Sequence, residues 1–273
     1  MHRSSLVIVA LGFGLLHVIL AKTAKRLHLV KLNFLGKEVY ASYGILLFAD
    51  VLFLTSVGMI AGVIDFRRAI LYLWVMGAMC LLGLVDDLFG TREVGGFRGH
   101  FKKLICERKL TTGVVKAVGG ALVGVVAGRE IYSNDLFRWI SCALLVALGA
   151  NFLNILDLRP GRAVSVFLFA IVVIWCVSIE KAPHPWLVTS ILVPTVVWGI
   201  FDSRGKAMMG DSGSNCLGAL LGLSVAIGMS LPIQLVVICV LVAIHWYSER
   251  HSITKLIESN RFLRAIDARL GVR

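Results

Sequence analysis

Asp86 and Asp87 in LLGLVDDLFG, Asp157 in NFLNILDLRPGR and Asp211 in MMGDSGSNCLG stand where apolar, helix-length runs of the sequence begin or end. Only 16 residues of the chain are Asp or Glu, so acids at these junctions are not background. Carboxylates at membrane depth are costly to keep and usually functional. Several on one face suit a divalent cation and an anionic substrate.

Adjacent helical residues point about 100° apart, so Asp86 and Asp87 can do different work. One can face a cation or a basic group while the other reaches a proton. A helix C-terminus disfavours acids through its dipole, which makes two of them there conspicuous. Asn151, Asn154 and Asp157 follow at i, i+3 and i+6, along one helix face. Their amide oxygens and carboxylate are hard donors suited to Mg²⁺, and Asn also reads nucleobase or sugar edges; interhelical hydrogen bonding is the plainer role for such Asn residues. Arg159 and Arg162, around Pro160 and Gly161, offer guanidiniums to phosphate. In MGDSGS, Gly210 and Gly213 let backbone approach a ligand, and the helix start that follows Asp211 offers free N–H groups to a phosphate. Ser212 and Ser214 are also ordinary helix-capping types. His251, beside Arg250, is the histidine best placed for a phosphate contact.

These residues need elements to position them, and the composition says which. The chain has 273 residues, 58% of them hydrophobic, and a mean hydropathy of +0.86. A soluble domain would be far more polar. The apolar runs are roughly 17–22 residues long, enough for a bilayer core of about 30 Å. Nine spans are expected, at about 5–21, 43–64, 69–86, 113–128, 137–154, 163–179, 186–201, 213–230 and 232–247. The reading is an all-α, polytopic transmembrane bundle forming one integral membrane domain over 1–273. Residues 5–21 read as a retained first span rather than a cleaved signal, because basic residues follow the run and no small-residue cleavage site is clear.

The formal charge is +12. With the N-terminus outside, 22 of the 28 Lys and Arg fall on inside segments and six outside, which orients the chain N-out and C-in. All the acidic junctions then lie on the cytoplasmic face. The charge is accounted for by loops facing anionic headgroups and phosphorylated substrates, with no nucleic-acid partner. Segment 98–112 reads as an amphipathic helix on the inner surface, and 249–273 as a tail of one or two amphipathic helices packed on the cytoplasmic face. Gly120, Gly124 and Gly128 form a small-residue stripe for close helix packing. The six Cys show no metal-ligand spacing and read as small apolar residues. No Walker-type loop, nucleophile elbow or H-E-x-x-H motif occurs.

The ordered set VDD, NxxNxxD and MGDSGS, all at cytoplasmic span ends, resembles the polyprenyl-phosphate N-acetylhexosamine-1-phosphate transferases, the glycosyltransferase family 4 group that includes the phospho-N-acetylmuramoyl-pentapeptide transferase. The resemblance covers roughly residues 36–260. It implies a bacterial-type, multi-pass plasma-membrane enzyme that moves a sugar-1-phosphate from a UDP-amino sugar to polyprenyl (undecaprenyl) phosphate, releases UMP and starts a cell-wall or surface glycan. By the same resemblance Asp86 and Asp87 match the catalytic pair, and Asn154 and Asp211 match positions tied to Mg²⁺, with Mn²⁺ as the alternative metal. Asn151 and Asp157 match polar positions of the nucleotide pocket. Asp211 is counted with the catalytic acids, and Arg159, Arg162, Ser212 and His251 with the substrate contacts. Relatives of this kind are often homodimers.

Two departures mark a divergent subgroup. Pro160 stands where the family usually has a second acid, and its His-rich stretch is reduced to His251. A degenerate relative that only binds polyprenyl phosphate or a partner, and a lipid transporter, are the rival readings. A transporter would place acids near mid-span rather than at span ends.

Overall fold

The computed structural model describes residues 12, 19, 22–23, 30–32, 36, 38–90, 112–178 and 183–272. Of the expected first span only residues 12 and 19 are described, and residues 98–111 of the expected amphipathic segment 98–112 lie outside the described residues. A short antiparallel hairpin leads in, β1 (Val30–Leu32) and β2 (Glu38–Tyr40), with Lys31 opposite Val39. Eight long helices follow: α1 (Gly44–Ile60), α2 (Phe66–Phe89), α3 (Thr112–Tyr132), α4 (Leu136–Leu156), α5 (Arg162–Val177), α6 (Pro185–Ser203), α7 (Gly210–Gly228) and α8 (Leu231–Ser248). Two short helices, α9 (Ile253–Ser259) and α10 (Arg261–Leu270), close the chain. Among the described residues the architecture is all-helical apart from that hairpin, which the apolar periodicity did not announce.

Helices α1 to α8 fall on the second to ninth expected spans. Four of them, α2, α4, α6 and α8, are long and apolar enough to cross a membrane, and α1 and α5 are apolar but shorter. Their outward faces carry large exposed apolar side chains such as Leu81, Phe169 and Val236, as expected of a protein solvated by lipid. These four helices and the exposed apolar side chains mark a membrane protein. Helix starts are set by local chemistry. Asp65 caps α2 by accepting from the Arg68 N–H at 2.8 Å, Asp135 caps α4 through the Arg138 N–H at 3.1 Å, and Pro185 and Pro232 occupy first-turn positions of α6 and α8.

Helix α7 is the axis of the bundle. Every residue from Ser212 to Ala226 is buried, and α7 packs against α4, α2, α5 and α1. Such burial needs neighbours without bulk. Gly218 of α7 lies so close to α4 that a Cβ there would meet the Ala150 Cα at 2.6 Å. The Gly120, Gly124 and Gly128 stripe does what its spacing implies, laying α3 against α4, with Gly128 facing the Trp139 backbone.

Polar residues then lock the apolar helices in register. At the end away from the acids, Gln234 of α8 donates to the Ala226 and Met229 carbonyls, both at 2.9 Å, and accepts from the Ser141 hydroxyl at 2.7 Å. Between α1 and α6, the Trp198 indole donates to the fully buried Asp50 at 2.8 Å, and Tyr43 stacks on Trp198 at 5.3 Å. An unpaired buried polar group costs a few kcal/mol, so these pairings select one helix arrangement.

Candidate active site

Helix direction gathers the acids. The C-termini of α2, α4 and α6 and the N-termini of α5 and α7 meet at one end of the bundle, where Asp86, Asp87, Asn154, Asp157, Asp202 and Asp211 lie. The turn that delivers Asp211 depends on Gly210, whose φ of +68° is open to glycine at little cost. A side chain there would also strike Asp87 and the backbone of Ser42.

Asp87 organises that turn. Its Oδ1 accepts from the Asp211 N–H at 2.9 Å and its Oδ2 from the Ser212 N–H at 3.0 Å. A carboxylate from α2 therefore caps the N-terminus of α7, where the exposed N–H groups and the helix dipole both favour negative charge. Asp157 reaches the same turn, ending α4 as its C-cap residue, and the Gly210 N–H favours its charged form. Burial, followed by the negative charges of Asp202, Asp211 and Asp87, nevertheless holds the Asp157 carboxyl well above the usual range.

The neighbouring acids are organised by a cation. Lys116, in the second turn of α3, places its Nζ 3.0 Å from Asp86 Oδ2 and 2.5 Å from Asp211 Oδ2. The Asn154 amide donates to the same Asp211 oxygen at 2.7 Å. Lys116 is thus the hub of a partly buried cluster spanning α2, α3, α4 and α7. Burial, then the neighbouring Asp86, pushes the Asp211 carboxyl up to about 6, with Lys116 opposing the shift. In a site of low polarity each of these charges acts far more strongly than in water.

The remaining predicted residues divide. Asn151 is partly buried on α4, one turn before Asn154. Arg159 is partly exposed, with Glu258 at 3.8 Å. His251 is exposed and stacks on Tyr247 at 4.6 Å, beside Arg250 over Trp246. Ser212 presents its N–H to Asp87, while its hydroxyl is buried in the helix packing. Arg162 is 2% exposed and bound on two sides by Asp267, from Nε at 2.9 Å and Nη2 at 3.1 Å. Its second partner is the Thr254 hydroxyl, at 3.2 Å from Nη1. That guanidinium holds the tail and does not reach the Asp86, Lys116 and Asp211 cluster.

Two residues at this end were not among the sequence candidates. Lys116 was counted with the loop cations, although a lysine inside an apolar run carried the same signal as the acids. Asp202 ends α6 and accepts from the Gly161 N–H at 2.7 Å, fixing the turn where Gly161 adopts a φ of +78°. It too is an acid at the end of an apolar run.

Among the described residues, no three His, Cys, Asp or Glu side chains converge as a metal-binding group. Mg²⁺ seldom needs such a cage, being commonly held by one or two carboxylates together with waters and substrate phosphates. Asp86 and Asp211 aim oxygens at one shared cationic centre, the Lys116 ammonium, with the Asn154 amide alongside. A hard divalent ion at this point would take the place that the Lys116 ammonium holds, with the Asn154 amide turning to present its oxygen and phosphate oxygens completing the shell.

The model of the glycosyl transferase family 4 matches residues 69–230, more than half of the chain and all of the segments that build this cluster. The chain belongs to that family, and it is a membrane transferase of the glycosyl or phosphoglycosyl class. No curated protein matches it significantly.

Proposed function

We propose that the protein transfers a sugar-1-phosphate from a UDP-amino sugar to polyprenyl phosphate, releasing UMP, at the end of the bundle that holds Asp86, Lys116, Asn154 and Asp211. The observation carrying this reading is that cluster itself. Four helices bring two carboxylates, an ammonium and an amide to one point at a span end, within the segment that matches the family. The orientation that places this end in the cytoplasm rests on the distribution of Lys and Arg, and it lets the nucleotide sugar enter from the water side while the lipid phosphate arrives along the interface.

The reaction joins two anions, so charge must be neutralised before they meet. In the step proposed, an oxygen of the lipid phosphate attacks the β-phosphorus of the nucleotide sugar. The bond from that phosphorus to the bridging oxygen breaks, and UMP takes the electron pair. Phosphoryl transfer leaves the protein little covalent work beyond positioning and electrostatics. Lys116 is held by Asp86 and Asp211 within reach of any phosphate that enters between them. Arg159, only loosely engaged with Glu258, and His251 are available to phosphate oxygens at the rim. Asn151 and Asp157 are assigned to the nucleotide. Of the acid pair, Asp86 is the one that faces the reacting phosphates, because both Asp87 oxygens are engaged by backbone N–H groups. Asp86 acts there by holding Lys116 rather than as a base. Against the opposing effect of burial, Asp211 and Lys116 lower its carboxyl to about 2, and the lipid phosphate, with a second pKa near 6, is mostly ionised already. Mg²⁺, which Asp211 and Asn154 would hold, would neutralise the diphosphate charge.

The test is product formation. Purified protein receives Mg²⁺, undecaprenyl phosphate and each of a panel of UDP-amino sugars, and the lipid fraction is weighed by mass spectrometry. A lipid diphosphosugar from one donor, lost in EDTA, is the expected result. Lipid binding without product from any donor would favour the binding-only reading, to which the Pro160 departure and the pinning of Arg162 by Asp267 lend support.

A further inference from the structure

The last two helices leave a feature that the transferase reading does not use. Helix α10 buries Asp267 against Arg162 and turns Phe262, Leu263 and Ile266 outward, at 72%, 37% and 42% exposure. These three lie within about 100° of arc on one helix face. Arg261, Arg264 and Arg269 occupy the opposite side and flank of the same helix. The acids nearby are engaged: Asp267 with Arg162, and Glu258 with Arg159. The outward apolar face of α10 is therefore edged by Arg269 on one flank and by Asp267, paired with Arg162, on the other, with Arg261 and Arg264 on the polar side behind it.

Position fixes what that side meets. Helix α8, apolar and long enough to cross a membrane, ends at Ser248, and α9 begins at Ile253, so the tail leaves the bundle where that span does. Its far end is tied back to the bundle at the same level. The Val272 N–H donates to the Ser203 carbonyl at 2.8 Å, and the Arg162–Asp267 pair joins α10 to the start of α5. A helix with an apolar face and a polar side whose unpaired charges are basic, fixed at the depth where spans end, has the amphipathic form that lies in the headgroup layer.

The geometry points to α10 as a docking surface for anionic phospholipid, with Phe262, Leu263 and Ile266 entering the acyl boundary and the three arginines pairing with headgroup phosphates. The Arg162–Asp267 pair anchors this surface to the start of α5, next to the turn that follows Asp157, so the tail also braces the rim of the acid cluster against the membrane. The inference does not rest on the transferase reading and holds for any activity at that cluster.

The test uses the full chain carrying Phe262→p-benzoylphenylalanine, in nanodiscs of equal phosphatidylglycerol and phosphatidylcholine without polyprenyl phosphate. After irradiation, adducts are identified by intact mass. The same photoreactive residue at Phe169, exposed on α5, serves as a bilayer control that labels both lipids alike. Phospholipid adducts at position 262 are expected, with phosphatidylglycerol favoured about fivefold per arginine engaged. In Arg261→Gln/Arg264→Gln/Arg269→Gln the adducts should persist while the preference falls to parity. Equal labelling of the two lipids in the parent overturns headgroup recognition. A doubled-mass product, a link within the chain or no adduct, with the Phe169 control labelled, overturns membrane docking.

Discussion

Asp87 and Asp211 are joined through backbone: Oδ1 of Asp87 accepts the Asp211 N–H at 2.9 Å, so one acid holds the turn that presents the other. This separates the neighbours Asp86 and Asp87. The first faces Lys116, and the second supports the start of α7.

Replacing Asp87 should therefore affect folding as well as turnover. Asp87→Ala removes an acceptor for two N–H groups at a buried helix start and should cost about 1–2 kcal/mol of stability. Asp87→Asn keeps one acceptor and should cost less. Thermal unfolding of both variants in detergent checks the order, and equal, unchanged midpoints would contradict the capping role.

Lys116→Met should lower transfer by about 10²–10³-fold, the loss typical when one preorganised charge donor is removed. The protein should still fold, because Asp86 and Asp211 remain partly accessible to water and cations. Lys116→Arg should restore part of the activity. The ratio of kcat/KM values, measured with unfolding midpoints, separates this from a packing defect.

The pH dependence follows from Asp211. Its carboxyl is raised to about 6 by burial and by Asp86, so in the folded protein it holds a proton that an unfolded chain has released. Its contribution to stability is thus present below about pH 4 and lost as pH rises through about 6. Cation binding runs the other way. Mg²⁺ needs the carboxylate and competes with the proton, so Mg²⁺-dependent turnover should fall about tenfold per unit below pH 6. Raising Mg²⁺ tenfold should move that limb down by up to about one unit. A limb indifferent to Mg²⁺ would remove Asp211 from the metal set.

Arg162→Ala and Asp267→Ala should each destabilise the protein by about 3–5 kcal/mol, because either leaves a buried charge without its partner. The double substitution should cost much less than the sum. A double-mutant cycle on unfolding midpoints reads this directly; strict additivity would contradict the pairing.

Much of this end of the molecule was legible in the sequence because span ends are legible. An acid that terminates an apolar run must lie near an interface, and helix direction then sets which ends share a face. Asp86, Asp87, Asp157 and Asp211 were readable in this way, and Asn154 by its spacing from Asn151 and Asp157. Arg162 was harder. Its neighbours Pro160 and Gly161 marked a turn, but its partner Asp267 lies 105 residues on, in a tail whose pattern announced only amphipathic helices. Long-range pairing of charges leaves no periodic trace. Lys116 was legible in principle, as an ionisable residue within a span, and was hidden by proximity to a basic loop. The hairpin of β1 and β2 has strands of three residues, too short for a period-two pattern to show.

The most direct measurement is UMP release by the purified protein given Mg²⁺, undecaprenyl phosphate and UDP-amino sugars, beside Asp211→Asn and Lys116→Met. The account predicts lipid- and Mg²⁺-dependent UMP from the parent with one donor, and a loss of at least about 10²-fold in both variants with the fold intact. UMP release that persists in folded Asp211→Asn, or its absence from the parent with every donor while lipid remains bound, would contradict it.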